Sequence, residues 1–164
     1  ELLRFGVSQS DPNFANFRYD AETDRVVLLD FGSVVEIPPG LSRAYRDLLA
    51  AALQDDAQAL RAGALAAGFL AEDTPGDLVE AVVGMMRLAA EPLRADGRYD
   101  FSRSDIARRL RDEGWALRKA ATRLPTPPVA ALHVQRKAAG LLLLCRSLQA
   151  RIPVRDIAQA ALTR

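Results

Sequence analysis

The chain has 164 residues and a formal net charge of +1, with 49% hydrophobic and 26% charged residues. This balance is ordinary for a globular domain and gives no broad basic surface of the kind that binds nucleic acid. A single cysteine, Cys145, excludes an internal disulfide bond, and the longest apolar run, residues 138–145, is too short to span a bilayer. We therefore expect one compact domain, or part of a larger protein, that is soluble or peripheral to a membrane.

The beginning of the chain differs from the rest. It starts at Glu1 without a methionine or a helix start signal, and a dense polar loop follows over residues 8–16. We therefore expect the chain to be a fragment of a longer protein. Residues 1–40 are predicted to hold this loop, a short apolar run and a Pro-Pro-Gly stop, whereas residues 41–164 are predicted to be almost entirely helical.

Two short strands are predicted within this first part. Residues 17–19 alternate in polarity, and residues 25–29 form a β-branched apolar run. The segment between them is rich in turn-forming residues, so the strands are expected to form a hairpin. A hairpin places the start of its first strand beside the end of its second. Asn16 and Asp30 are therefore expected to be neighbours.

The helical part is divided by caps and prolines. Apolar residues at helical spacing predict helices over residues 41–53, from 55 to 63 or 68, and over 78–93, 104–121 and 126–148. A last helix is predicted to follow the break at Ile152-Pro153 and to end at about residue 162. Asp55 has capping-box spacing with Gln58, and Ser104 is predicted to cap its own helix. Pro127 is predicted at the first position of the next helix, and Pro153 to precede the last one.

Several conspicuous residues are predicted to be structural. The run Leu141–Leu144 predicts a central buried helix, with Cys145 as a small buried hydrophobic residue. Trp115 is predicted to anchor packing, and His133 to be a helix residue and not a general base. Arginines and a lysine over residues 108–119 predict a solvated basic helix side, which could contact anionic lipid headgroups.

Three polar residues point to chemistry. Asp11 and Asn16 have the form Asp, four residues, Asn, and Asp30-Phe31-Gly32 follows the predicted hairpin. In kinases the first aspartate accepts or orients the proton of the nucleophile, while the asparagine and the Asp-Phe-Gly aspartate hold Mg²⁺ on the nucleotide phosphates. Mg²⁺ prefers oxygen ligands. Asp30 would supply charge and Asn16 a neutral carbonyl oxygen.

Two other interpretations of Asp11, Asn16 and Asp30 were weighed against the kinase interpretation. In a purely structural interpretation, Asp11 begins an Asx turn and Asp30 caps a strand end. A calcium-binding loop is the other, and it fails because Asn16 stands where such a loop requires glycine.

The chain resembles the UbiB/AarF atypical kinases, in the branch that includes the mitochondrial coenzyme Q kinases. The segment Gln9–Phe17 is similar to the catalytic segment of that family, and Leu28–Gly32 with Glu36 is similar to its metal segment. A late helix motif, Gln135-Arg136-Lys137 through Gly140 to Cys145 and Leu148, also resembles the family. Val35 departs from the pattern because the family often has a basic residue there. Gln9 and Ser10 stand where ordinary protein kinases have His-Arg.

The resemblance implies a mainly α fold: a protein-kinase-like C-terminal lobe in which one short β-hairpin carries the catalytic and metal loops and a helical bundle follows. Residues 1–40 would hold the loops and residues 41–164 the helical remainder, with the N-lobe absent. The implied cofactors are ATP and Mg²⁺, with Asp11 as catalytic acid/base and with Asn16 and Asp30 as nucleotide-binding metal ligands.

The resemblance also implies a biological setting. The role would lie in isoprenoid-quinone (ubiquinone) biosynthesis or lipid homeostasis, with a nucleotide, lipid or quinone-pathway proteins as partners. The high alanine and arginine content indicates a bacterial source, so the expected location is the cytoplasm of a bacterium, with peripheral contact to the inner membrane. The runner-up is a non-catalytic, pseudokinase-like module that binds nucleotide or lipid, and a third interpretation is a helical scaffold without a ligand.

Kinase elements absent from the sequence bear on the substrate. There is no Gly-rich phosphate loop, no Val-Ala-Ile-Lys strand and no Ala-Pro-Glu. Only residues 33–41 separate Gly32 from the first long predicted helix, which leaves little segment to dock a peptide. We therefore expect ATP hydrolysis coupled to a lipid or partner, or phosphorylation of a small molecule, and not an ordinary protein Ser/Thr substrate. The chain alone is expected to be inactive.

Overall fold

The structure, a computed structural model, describes residues 1–11, 13–118 and 121–163. The helices are α1 (Leu2–Phe5), α2 (Pro39–Gln54), α3 (Ala57–Ala66), α4 (Gly76–Ala89), α5 (Glu91–Arg94), α6 (Ile106–Arg118), α7 (Val129–Ser147) and α8 (Val154–Leu162). The strands are β1 (Val7–Gln9), β2 (Phe17–Asp20), β3 (Arg25–Leu28), β4 (Val34–Glu36), β5 (Tyr99–Asp100) and β6 (Arg151–Ile152), and 3-10 helices span Phe14–Asn16 and Ala121–Arg123. The predicted mainly helical fold with short strands is confirmed.

The predicted hairpin is present as β2 and β3. The strands are antiparallel, with Phe17 opposite Leu28 and Asp20 opposite Arg25. Asp20 organises the turn, because its carboxylate accepts hydrogen bonds from Glu22 N at 3.0 Å and from Thr23 Oγ1 at 2.6 Å. The turn chemistry of the sequence therefore sets the register of this hairpin.

A second strand pair, between β1 and β4, was not predicted. Val7 lies opposite Glu36 and Gln9 lies opposite Val34 in antiparallel register. The pairing continues beyond the strand ends, since Ser10 N donates to Ser33 O at 2.9 Å. Residues 8–10 are buried although all three are polar. Their polarity made the segment resemble a loop, and only its partner strand turns it into a buried strand.

The hydrophobic core lies mainly between α2, α3 and α4. Its buried side chains come chiefly from these helices and the turn after α3: Leu41, Ala44, Leu48, Ala51, Ala52, Leu60, Ala64, Ala67, Phe69, Leu70, Val82 and Val83. Gly63 brings α2 and α3 together, because a Cβ at this position would lie 2.7 Å from Leu48 Cγ. Such close helix packing supplies much of the stability of a domain of this size.

Helix starts differ from the predictions in two places. Asp56 caps α3, not Asp55, because its carboxylate accepts from Gln58 N at 2.9 Å and from Ala59 N at 3.0 Å. Asp55 instead ends α2 in the left-handed conformation, with φ of 54°. The α7 helix begins at Val129 with Pro128 as its cap residue, so the prediction of Pro127 at the first helical position is also wrong.

Other helix predictions fare better. Ser104 caps α6 as predicted, with its Oγ accepting from Ile106 N at 3.2 Å. Pro153 precedes α8, which ends at Leu162. The predicted helix over 78–93 is split, since α4 ends at Ala89 and α5 begins at Glu91.

Expected burial is wrong for α7 and α6. Leu143 is 59% exposed and Trp115 is 60% exposed, whereas a central buried helix and a packing anchor were predicted. Trp115 instead stacks under the Arg118 guanidinium, 5.2 Å from its ring centroid. The α7 helix faces β1 and β4, and Ala131 is its buried residue among those described. The apolar run Leu141–Leu144 therefore indicates a helix but not how much of that helix is buried.

Across the described ranges, no helix is both long and apolar enough to cross a membrane.

Candidate nucleotide and metal site

The loop between β1 and β2 is shaped by its own side chains. Asn13 caps the 3-10 helix Phe14–Asn16, with its Oδ1 accepting from Ala15 N at 3.0 Å. The structural interpretation assigned an Asx turn to Asp11. The Asx-type contact observed in this loop is made by the side chain of Asn13. Pro12 lies outside the described residues. The loop leads from the end of β1 directly to Asn16 at the start of β2.

Asn16 binds Asp11 across this loop. Its Nδ2 donates to the Asp11 carboxylate oxygen Oδ2 at 3.1 Å and to the Asp11 main-chain oxygen at 3.2 Å. The amide nitrogen of Asn16 is thus committed to Asp11. The atom of this amide that can bind a cation is the carbonyl oxygen Oδ1, because an amide nitrogen has no lone pair to offer.

The hairpin brings Asn16 to the segment that carries Asp30. Leu29 N donates to Asn16 O at 2.9 Å, which continues the β2–β3 ladder by one step. Asp30 follows this residue directly. The two oxygen-bearing residues that sequence spacing selected therefore lie at the same end of the hairpin, with Asp11 joined to them through Asn16.

Asp30 is held by the turn that follows it. Its Oδ1 accepts from Gly32 N at 2.7 Å, and its side chain is exposed. This contact is the local cap that the structural interpretation predicts, and it uses one carboxylate oxygen. A Cβ at Gly32 would lie 3.1 Å from Asp30 Oδ1, so the glycine keeps the space beside the carboxylate open.

The donor set fits a cation that arrives with a nucleotide. Within the described ranges, no cluster of three or more His, Cys, Asp or Glu side chains could hold a metal by itself. Mg²⁺ usually takes one or two protein oxygens and completes its octahedron with water and substrate phosphates. Asn16 and Asp30 carry oxygens of the kind that such a cation takes, and both residues lie at the same end of the hairpin.

The site is an open surface. Phe31, beside Asp30, is 62% exposed, and Phe14 in the loop is 50% exposed. A shallow cavity of about 450 Å³ lies elsewhere, between α4 and α6, where Gly84, Met85 and Arg109 contribute to its walls.

Gln9 was not assigned a role by sequence reasoning, yet it contacts the site. It is the last residue of β1, is 7% exposed, and its Nε2 donates to Asp11 O at 2.9 Å. The sequence feature that could have indicated this contact is the position of Gln9, two residues before Asp11. Residues 8–16 were predicted to be a polar loop, and this prediction gave no reason to expect that Gln9 is buried.

Comparison with known proteins relates the first part of the chain to a kinase-like domain. Residues 1–63 match the ABC1 atypical kinase-like domain. The segment covers the loop, the hairpin, the Asp-Phe-Gly turn, α2 and most of α3.

Curated relatives extend this likeness along the chain. The chain is 35% identical, over 97% of its length, to the rat protein "Atypical kinase COQ8B, mitochondrial", of which it covers 30%. It is 30% identical over 93% of its length to the Saccharomyces cerevisiae protein "Atypical kinase COQ8, mitochondrial", again covering 30% of the relative. The corresponding Schizosaccharomyces pombe protein is 27% identical over 96% of the chain, which covers 26% of that protein.

These matches confirm the family resemblance drawn from the sequence: the chain is similar to atypical kinases of the UbiB/AarF family over nearly its whole length. The chain spans less than a third of the length of the curated relatives it matches.

Proposed function

We propose that this chain is the kinase-like C-terminal lobe of an atypical ATP-dependent kinase or ATPase. Asn16 and Asp30 hold Mg²⁺ on the nucleotide, and Asp11 is the catalytic acid/base residue. The observation that carries the proposal is the double hydrogen bond from Asn16 to Asp11, made at the point where the hairpin ladder brings Asn16 to the Asp30 segment.

Each residue has a distinct task in this proposal. The bound Mg²⁺–nucleotide supplies the phosphoryl group and neutralises its charge. Asn16 holds Oδ2 of Asp11, which leaves the other carboxylate oxygen to accept the proton of an acceptor hydroxyl or of water. Asp30 contributes negative charge, and the Gly32 N–H fixes one of its oxygens. Asn16 adds a neutral oxygen, so anionic phosphates can still approach.

The proposed acceptor is a lipid or another small molecule, or water, and not a protein Ser/Thr site. Support comes from the segment after Gly32. Residues 34–36 are used as β4, which pairs with β1, and α2 begins at Pro39. No long free segment therefore lies between Gly32 and α2 to hold a peptide.

The proposed setting is isoprenoid-quinone (ubiquinone) biosynthesis or lipid homeostasis. Support comes from the relatives, which are named as COQ8 atypical kinases and as mitochondrial. Quinone-pathway proteins or lipids are the proposed partners. The proposed location, the cytoplasm of a bacterium and peripheral to its inner membrane, rests on the alanine and arginine content of the chain and not on these relatives.

A non-catalytic module that binds nucleotide or lipid is the second candidate. The observation that favours it is the openness of the site, since Asp30 and Phe31 are exposed and one Asp30 oxygen is used in a local cap. The two candidates differ in what Asp11 does, because a module that only binds has no use for a proton acceptor.

Thermal unfolding with Mg²⁺ and ADP tests the proposal. A ligand present at 100 times its Kd stabilises the folded state by about 2.7 kcal/mol. We expect a rise in Tm for the parent chain, none for Asp30→Asn, and the parental rise for Asp73→Asn, which makes the same change at an exposed turn outside the site.

The outcomes separate the assignments. An equal rise in all three proteins would contradict the role of Asp30. If the parent chain shows no rise, the same three proteins are compared at full length, and the absence of a rise there would contradict nucleotide binding altogether.

A further inference from the structure

The Asp11 main chain is held from two sides. Gln9 Nε2 donates to Asp11 O at 2.9 Å, and Asn16 Nδ2 donates to the same oxygen at 3.2 Å. Asn16 is half-buried at the start of the hairpin, whereas Gln9 reaches Asp11 from the buried end of β1. The position of the Asp11 backbone therefore depends on a side chain that does not belong to the proposed metal site.

Stability does not explain why a glutamine occupies this position. Gln9 is buried, yet its Oε1 has no hydrogen-bond partner among the described residues. A buried acceptor without a donor is unfavourable for folding, and an apolar side chain of similar size would avoid that cost. What the glutamine provides, and an apolar side chain would not, is the hydrogen bond to Asp11.

The main chain of Gln9 is anchored to α7 through Glu1. Lys137 Nζ lies 2.6 Å from Glu1 Oε2, and the same carboxylate oxygen accepts from Gln9 N at 3.2 Å. Lys137 is 22% exposed, so this ion pair is partly shielded from water. A continuous polar path thus runs from Lys137 through Glu1 and Gln9 to Asp11. Lys137 belongs to the late helix motif, to which the proposed function assigns no role, and this path gives it a structural contact near the site.

We propose that Gln9 is a positioning residue that fixes Asp11, and that Lys137 anchors it through Glu1. This inference rests on the proposed function, because it takes Asp11 as the catalytic residue. Gln9 does not touch the reacting atoms. It sets where the Asp11 carboxylate lies and leaves Asn16 and Asp30 to hold the cation.

The test is steady-state ATP hydrolysis by the full-length protein carrying Gln9→Met. This variant removes the hydrogen bond to Asp11 and also the unpaired buried oxygen. We expect kcat to fall by roughly 10- to 100-fold, because a small displacement of a catalytic group has effects of that order. The KM for nucleotide should stay unchanged and Tm should not fall.

Gln159→Met is the matched control. It makes the same change at an exposed position of α8 and should leave kcat, KM and Tm at their parental values. A parental kcat in Gln9→Met would overturn the proposal. A fall in kcat that is accompanied by a fall in Tm would also overturn it, since the role would then be structural.

A double variant shows whether Gln9 acts through Asp11. If it does, adding Gln9→Met to Asp11→Asn lowers the remaining activity no further, because the group being positioned has already lost its function. If the double variant instead loses activity by the product of the two single-variant losses, the proposal is overturned. If Asp11→Asn alone retains parental activity, the catalytic assignment fails and the inference fails with it. A strong loss in Asp11→Asn beside an unaffected Gln9→Met overturns the inference alone.

Discussion

The helical core and the site region differ in the polarity of their buried side chains. Between α2, α3 and α4 the buried side chains are apolar, and Leu60 and Ala64 are almost fully enclosed. In the site region the buried side chains are the polar residues 8–10, while apolar residues of the hairpin face outward. Val26 is 65% exposed. The core region is thus organised by burial of apolar surface, whereas the site region is organised by hydrogen bonds between strands and loops.

This contrast indicates a division of tasks. A hydrophobic core tolerates few changes in volume, and its contribution to stability is large. A hydrogen-bonded loop contributes little net stability but fixes the positions of polar atoms closely. Changes in the two regions should therefore separate loss of activity from loss of folding.

The largest expected effect is on turnover in the site region. Asp11→Asn in the full-length protein should lower kcat for ATP hydrolysis by about 10²- to 10⁴-fold, the usual contribution of a general acid or base. Its Tm should remain near the parental value, because Asn can keep accepting the hydrogen bond from Asn16. A variant that loses Tm and activity together would break the contrast between the two regions.

A core truncation should show the reverse pattern. Leu60 is 2% exposed in α3, and Leu60→Ala should lower the free energy of unfolding by about 2–5 kcal/mol. Denaturant unfolding measures this change. Val26→Ala on the exposed hairpin is the comparison and should stay within about 0.5 kcal/mol of the parent. Similar losses for both variants would mean that the hairpin is part of the core in solution.

A smaller effect is expected at the turn after Asp30. Gly32→Ala would place a methyl group 3.1 Å from Asp30 Oδ1, so the carboxylate has to move. The rise in Tm with Mg²⁺ and ADP should shrink, while Tm without ligand should change little. Gly97→Ala is unsuitable as a control because its φ is +75°. Gly84→Ala is suitable, since nothing lies within 4 Å of the added Cβ.

The smallest effect concerns pH. Partial burial pushes the pKa of Glu1 upward, but the hydrogen bonds from Lys137 and from Gln9 N–H outweigh it and leave that pKa below the ordinary value of 4.5. A carboxyl group with a lowered pKa adds stability above its unfolded pKa, and this stability is lost as pH falls through the folded pKa.

The Lys137→Met variant should therefore have a lower Tm than the parent at neutral pH, and the difference should shrink below about pH 4.5. Arg136→Met, which removes a neighbouring exposed cation of α7, should show no such pH dependence. A difference in Tm that stays constant down to acid pH would contradict the ion pair with Glu1.

The hairpin and the closeness of the site segments could be predicted because they depend on local patterns. Alternating residues, a turn rich in Asp and Thr, and the fixed geometry of an antiparallel pair place Asn16 beside the Asp30 segment. The cap at Ser104 follows from the same kind of local signal. The roles of Asp11, Asn16 and Asp30 remain predictions.

Features that depend on distant partners could not be predicted. The pairing of β1 with β4 joins residues that are 25 to 29 positions apart in the chain, and the Val-Ser-Gln sequence of β1 is too short and polar to predict a buried strand. The hydrogen bond from Gln9 to Asp11 was missed for the same reason. At Asp55 and Asp56 either aspartate could cap α3, and only the left-handed turn at Asp55 selects the second.

The β2–β3 pair has a practical consequence for handling the protein. Within the described residues, it joins no other strand, so both strands keep an open edge beside exposed valine and leucine side chains. Open edges of this kind recruit strands from other molecules. In concentrated solution the hairpin is therefore where self-association of this chain would begin, and a lysine at Val26 is the substitution we expect to raise its solubility.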